Sequence, residues 1–211
     1  LHGKVHPMER GADPLHQALA EIGAIRGQLA RAGEFRGYGP ATLAATSLLA
    51  VAAGFVQPLW VARPLAAPGQ YVAFWCAAAA VAAALIAAEA LARSRRLHGG
   101  LADAMIRAAL EQFLPAALAG ILLTAALMRW APASVQLLPG LWQVVFSLGV
   151  FATCRFLPRA VLAVGGWYLI TGLGAVALSA RHPLEPWMMA APFAVGQALA
   201  AAILWRWSGT Q

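Results

Sequence analysis

Glu89 is the residue of this 211-residue chain with the most to explain. It closes a window, residues 64–88, that holds no Asp, Glu, Lys or Arg. An ionisable group at such a place is costly and marks a candidate ion-binding or proton-coupling site. Arg93 stands four residues on, and an i,i+4 Glu–Arg pair accounts for the same glutamate without any function. Both readings stay open. A second group is polar but uncharged. Thr124, Gln143, Ser147, Tyr168, Thr171 and Gln197 fall at similar depth within other charge-free windows. Side chains of this kind either hydrogen-bond between helices or together line a polar cavity. The sequence around them is irregular: Gly165-Gly166 precede Trp167-Tyr168, and Pro192 should kink the chain before Gly196-Gln197. Carriers build their sites at such breaks, so Trp167 joins the set. The candidate ligand-binding residues are therefore Glu89, Thr124, Gln143, Ser147, Trp167, Tyr168, Thr171 and Gln197.

Other chemistry finds no support. There is no Gly-x-x-x-x-Gly-Lys-Ser/Thr phosphate loop, no His-Glu-x-x-His, no Gly-x-Ser-x-Gly and no Cys-x-x-Cys-His. No two His, Cys or acidic residues share a helix face at ligand spacing, so no metal is expected. His2, His6, His16, His98 and His182 all lie outside the apolar windows, which excludes a membrane-embedded haem, and no other cofactor is expected. Cys76 and Cys154 fall near opposite ends of their segments, too far apart for a disulfide. The chain is read as non-enzymatic.

The elements that must position these residues follow from composition. The chain is 61% hydrophobic and 11% charged. Soluble domains carry about 25% charged residues. Too little polar surface remains here to face water. Six windows lack charge: 37–62, 64–88, 112–128, 130–154, 160–180 and 186–205. Each reaches the roughly 17–20 residues that a helix needs to cross an apolar layer about 30 Å thick. Only helices keep their backbone groups paired there, and the runs Ala77–Ala80 and Ala82–Ala84 exclude the alternation of a β-barrel. The expected fold is all-α: a polytopic bundle of six transmembrane helices arranged as antiparallel hairpins, near 40–60, 70–92, 113–130, 137–154, 158–178 and 187–207. Pro40, Pro115 and Pro158 are placed at or near helix starts. A cytoplasmic interfacial loop, 93–112, is expected to turn at Gly99-Gly100 and run as helix into the third span.

Charge sets the expected orientation. Twelve of the 15 Lys and Arg fall in the N-terminal segment, residues 93–112, residues 155–159 and the C-terminus, leaving Arg63, Arg129 and Arg181 on the other side. By the positive-inside rule both termini are cytoplasmic. The net charge of +7 is then a topology signal held near anionic headgroups, with no nucleic-acid partner implied. A weak internal repeat is also visible, since residues 39–44, 114–119 and 157–163 open alike with proline, leucine and alanine.

Residues 1–36 form a separate N-terminal region. Leu15, Ile22 and Leu29 recur every seven residues, with Ala18, Ile25 and Ala32 three after each. That is the seam of an amphipathic helix over about 14–34. Its apolar face lies on the membrane surface or docks a second subunit or a soluble cytoplasmic protein through Leu15, Ile22, Ile25, Leu29 and Phe35. The stretch Ile25-Arg26-x-x-Leu29-x-x-Ala32-x-x-Phe35 resembles one found before the first span of small bacterial inner-membrane proteins. That resemblance covers eleven residues; it implies a bacterial inner-membrane location and brings no activity with it. Two functions fit the sequence: a carrier or channel for a small or amphipathic molecule, using the midplane polar set, and a scaffold or regulator docking a partner through residues 14–35 and 93–112.

Overall fold

The computed structural model describes residues 39–97, 100–154 and 159–209. The N-terminal helix, with Leu15, Ile22, Ile25, Leu29 and Phe35, lies outside the described residues, as does Pro158. Six α-helices follow in order: α1 (Pro40–Trp60), α2 (Pro68–Leu97), α3 (Gly100–Trp130), α4 (Leu138–Thr153), α5 (Leu162–Leu178) and α6 (Trp187–Gly209). Short 3-10 turns, Pro132–Leu137 and Arg159–Val161, lead into α4 and α5. No strand occurs among the described residues. All six segments are long and apolar enough to cross a membrane.

Large apolar side chains face outward. Leu48, Phe55, Leu59, Ile121, Leu122 and Ile170 are each exposed, Leu59 by 80%. Water would penalise each such surface by about 25 cal/mol per Å², whereas a hydrocarbon surround would not. The buried set is correspondingly small and rich in alanine, glycine and polar residues.

Consecutive helices run up and down in a ring that α6 closes against α1. The α1 and α6 pair and the α4 and α5 pair pack most extensively. On α1 the buried residues are Leu43, Thr46, Ala50, Ala53 and Gln57, a seam with alternating spacings of three and four. Where α4 crosses α5, a Cβ built on Gly140 would stand 2.5 Å from the carbonyl oxygen of Gly172, so this crossing admits glycine alone. Small residues at a helix interface let backbones approach in this way.

Three prolines sit inside helices: Pro58, Pro115 and Pro192. Pro115, expected near a helix start, lies within α3, which begins fifteen residues earlier at Gly100. Pro58 lies in the last turn of α1. Proline inside a helix costs one hydrogen bond, and the partly exposed flank of α3 leaves room for the ring. Pro40 does stand at the first turn of α1. Residues 93–112, read from sequence as an interfacial segment running as helix into the third span, carry helix through Leu97 and again from Gly100 into α3. The second helix, α2, has 30 residues. With a rise of about 1.5 Å per residue, a helix of that length extends about 45 Å. It therefore runs well beyond an apolar layer about 30 Å thick.

The two ends of the bundle differ. At the basic end α1 and α6 meet through Leu43, Ala201 and Leu204, with Ile86 of α2 and Trp207 alongside. At the opposite, distal end a larger cluster joins Ala53, Val61, Tyr71, Trp75, Val135, Leu138, Leu184 and Met189.

Candidate functional site

Pro192 explains the position of Gln143. Proline has no N–H, so the carbonyl four residues back, that of Met188, loses its helical donor. Gln143 Nε2 donates to that oxygen at 2.9 Å and to the carbonyl of Pro139 at 3.0 Å. Both amide hydrogens are thereby used, and Gln143 ties α4 to α6 at the kink. Trp167 Nε1 donates to the carbonyl of Pro192 at 2.9 Å and ties α5 to the same kink. Ser47 Oγ reaches the carbonyl of Ala194 at 2.7 Å, and Thr46 Oγ1 meets Gln197 Oε1 at 3.3 Å, both from α1. Four side chains on three helices thus hold α6 around Pro192.

The rest of the polar set is used locally. Thr124 accepts from Trp142 Nε1 at 2.8 Å and donates to the carbonyl of Gly120 at 2.7 Å. Ser147 donates to Val144 at 2.6 Å and Thr171 to Trp167 at 2.8 Å, each within its own helix. Thr124, Ser147 and Thr171 thus spend their hydroxyl hydrogens on carbonyls of their own helices. Glu89 is partly buried at the basic end, where its Oε2 accepts from the Gly39 N–H at 3.2 Å. Gly39 has no side chain to cap α1, so a carboxylate from α2 does so instead, at the helix end that favours negative charge. Its pairing with Arg93 lies outside the described side chains.

Between these ties the interior is filled with rings. Phe146 lies 4.8 Å from Tyr168 and 5.3 Å from Phe193, Tyr168 lies 5.1 Å from Phe193, and Phe113 stands 5.4 Å from Phe146. Tyr168 is fully buried because its neighbour has no side chain: a Cβ on Gly196 would stand 2.5 Å from the phenol oxygen. Toward the distal end Tyr71 stacks on Trp142, with centroids 6.3 Å apart and planes at 11°.

Three buried polar atoms have no hydrogen-bond partner among the described residues: Tyr71 Oη, Gln143 Oε1 and Tyr168 Oη. They belong to α2, α4 and α5, and all three residues are fully shielded. The Tyr168 hydroxyl lies next to the Gln197 side chain. α4 and α5 carry no acidic or basic residue, whereas α2 carries Glu89 toward the basic end and the α5–α6 connection carries His182 and Glu185. The three atoms are two phenol O–H donors and one amide acceptor, Tyr71 in the distal cluster and Tyr168 in a separate cluster with Val161 and Val164. No group of three or more His, Cys, Asp or Glu among the described residues could hold a metal ion.

Gln143, Tyr168 and Gln197 stand out in the sequence, whereas Tyr71, Thr46, Ser47, Gln57 and Trp75 emerge only from the fold. Gln57 is 1% exposed; its Nε2 donates to the carbonyl of Leu184 at 3.0 Å and its Oε1 accepts from Trp75 Nε1 at 2.8 Å. A lone glutamine inside the first charge-free window is a signal on the same footing as Gln143.

The connection from α5 to α6 lies over this end. His182 Nδ1 stands 3.1 Å from Glu185 Oε1, and the Trp187 indole N–H donates to Glu185 Oε2. These partners, His182 first, hold the Glu185 carboxyl below the usual carboxylate range.

Comparison of the chain with protein-family models, with curated proteins and with solved structures finds no match. The fold and site therefore define it by themselves: an all-helical bundle with six helices long and apolar enough to cross a membrane.

Proposed function

We propose that this chain is an integral protein of the bacterial inner membrane, with its basic end cytoplasmic, and that it binds and carries a small uncharged or amphipathic molecule without catalysing a reaction. One observation carries the reading: Tyr71 Oη, Gln143 Oε1 and Tyr168 Oη are buried on three helices without partners among the described residues. An unpaired buried polar group costs about 1–3 kcal/mol, and lipid offers it nothing. A guest bearing its own donor and acceptor recovers that cost, and the absence of charged residues on α4 and α5 favours a neutral one. Hydrogen bonding supports a narrower reading of the sequence-derived site. Thr124, Ser147, Trp167 and Thr171 act as structural ties, leaving Gln143, Tyr168 and Gln197 on the ligand side with Tyr71 added.

The test is the stability of Tyr71→Phe and Tyr168→Phe in gently extracted protein, before and after exhaustive detergent exchange. A bound guest makes both variants less stable than the parent at first, with the difference shrinking once the guest is washed out. Variants as stable as the parent throughout would remove the reading.

A second reading is supported by the helical reach of α2 and α3. Their residues 93–97 and 100–110 continue as helix past the apolar spans, on the end that the sequence makes basic. As a scaffold, the protein would dock a soluble cytoplasmic partner or a second subunit there and through residues 14–35. A soluble protein that co-purifies with the intact chain and is lost on Ile22→Glu/Leu29→Glu would favour it.

A further inference from the structure

Leu184 adopts φ 56°, the only positive φ at a non-glycine residue among the described residues. A bulky side chain in the left-handed region is a strained outlier and persists only where its surroundings enforce it. Here the side chain is fully buried, although its neighbours Arg181, His182 and Glu185 remain at least partly exposed. It belongs to the same cluster as Tyr71, Trp75 and Leu138, and Met188, whose carbonyl Gln143 holds, follows four residues later. The backbone at Leu184 is fixed from outside the loop by Gln57 Nε2, and Gln57 is itself fixed by Trp75. A surface connection has thus turned one side chain inward against its own backbone preference, into the cluster that holds Tyr71, whose hydroxyl lacks a partner among the described residues.

We propose that residues 179–186 form a plug over a distal binding site built on Tyr71 Oη and Gln143 Oε1, with Leu184 as the stopper and Gln57 as its latch. A small neutral molecule that both donates and accepts a hydrogen bond, of the alcohol or primary-amide class, enters when Leu184 swings out and its backbone relaxes to negative φ. The strain lowers the cost of opening, and the Gln57 bond sets how rarely it happens. This inference rests on the ligand-binding reading for the identity of the guest, but the gate can be tested without one.

The probe is methyl methanethiosulfonate, a small neutral thiol reagent, on full-length protein carrying Tyr71→Cys with Cys76→Ala and Cys154→Ala. With the latch intact, Tyr71→Cys reacts slowly. Adding Gln57→Leu raises the rate at least tenfold by loosening the loop. Adding Leu184→Gly instead also raises it, because glycine accepts the positive φ without strain and leaves no stopper; this variant serves if Gln57→Leu folds poorly. Rates that are equal in all three backgrounds, fast or slow, overturn the plug. They leave the ligand reading to the detergent-exchange experiment, which does not depend on access.

Discussion

The distal and basic ends of this bundle are built from the same six helices but on different principles. At the distal end, side chains from α1, α2 and α4 and from the loop before α6 interlock through Gln57, Trp75, Tyr71, Trp142 and Leu184. The basic end is held by a small alanine- and leucine-based cluster and by the Glu89 cap on α1. In lipid the hydrophobic effect does not drive helices together, so close packing and interhelical hydrogen bonds must. The difference therefore separates a distal half with interlocking polar ties and a strained loop from a basic half where two helices run on beyond the apolar spans.

The largest effect that would break this contrast comes from the helix crossing at the distal end. Gly140→Val drives a side chain into the Gly172 backbone. Overpacking of that kind is expected to cost about 3 kcal/mol or prevent folding. Gly166, nearer the basic end of α5, has nothing within 4 Å of a built Cβ. Gly166→Ala should therefore raise stability by about 0.5–1 kcal/mol. Thermal unfolding in one detergent compares the two, and similar losses would erase the distinction.

Next in size is Gln143→Leu. It strands the Met188 carbonyl that Pro192 has already deprived of a partner. The expected loss is about 1–3 kcal/mol. Ser147→Ala should lose less than half as much, because its hydroxyl serves only its own helix and such back-bonding adds little to helix stability. Pro192→Ala in the Gln143→Leu background restores the helical donor and is expected to recover part of the loss; no recovery would refute the account of the kink.

Glu89→Gln tests the basic end. It keeps the acceptor and removes the charge at the start of α1. A loss of about 0.3–1 kcal/mol is expected, reduced by added salt. The smallest effect concerns the distal loop. The carboxyl of Glu185 is depressed by His182 and Trp187. It therefore stabilises the loop above the ordinary carboxylate range, and that contribution fades as pH falls through the lowered value. Glu185→Gln should abolish that acid-dependent loosening, read as amide exchange across residues 179–186.

Much of this architecture was legible in the order of residues, for one physical reason. A bundle solvated by lipid excludes charge over whole helices, so gaps between charges mark helices without any need for periodicity. The helices' reach past the spans was harder to see, because alanine-rich sequence beside arginines is helical in water and in lipid alike. Gln143 and Tyr168 stood out as polar residues at mid-depth, but whether each was tied or unpartnered depended on neighbours distant in sequence. Met188 takes up Gln143 across 45 residues. Tyr71 was missed because a tyrosine near a helix end reads as an interfacial ring, and only the fold shows it buried. The strain at Leu184 has no sequence signal at all, since leucine is not a residue that favours positive φ.

The measurement that bears most directly on the central claim is native mass spectrometry of the full-length protein, released gently from its own membrane, beside Tyr71→Phe and Tyr168→Phe. The account predicts a small neutral molecule on the parent protein, depleted in both variants while their folding is intact. Parent protein without such a molecule, or one retained equally by the variants, would contradict it.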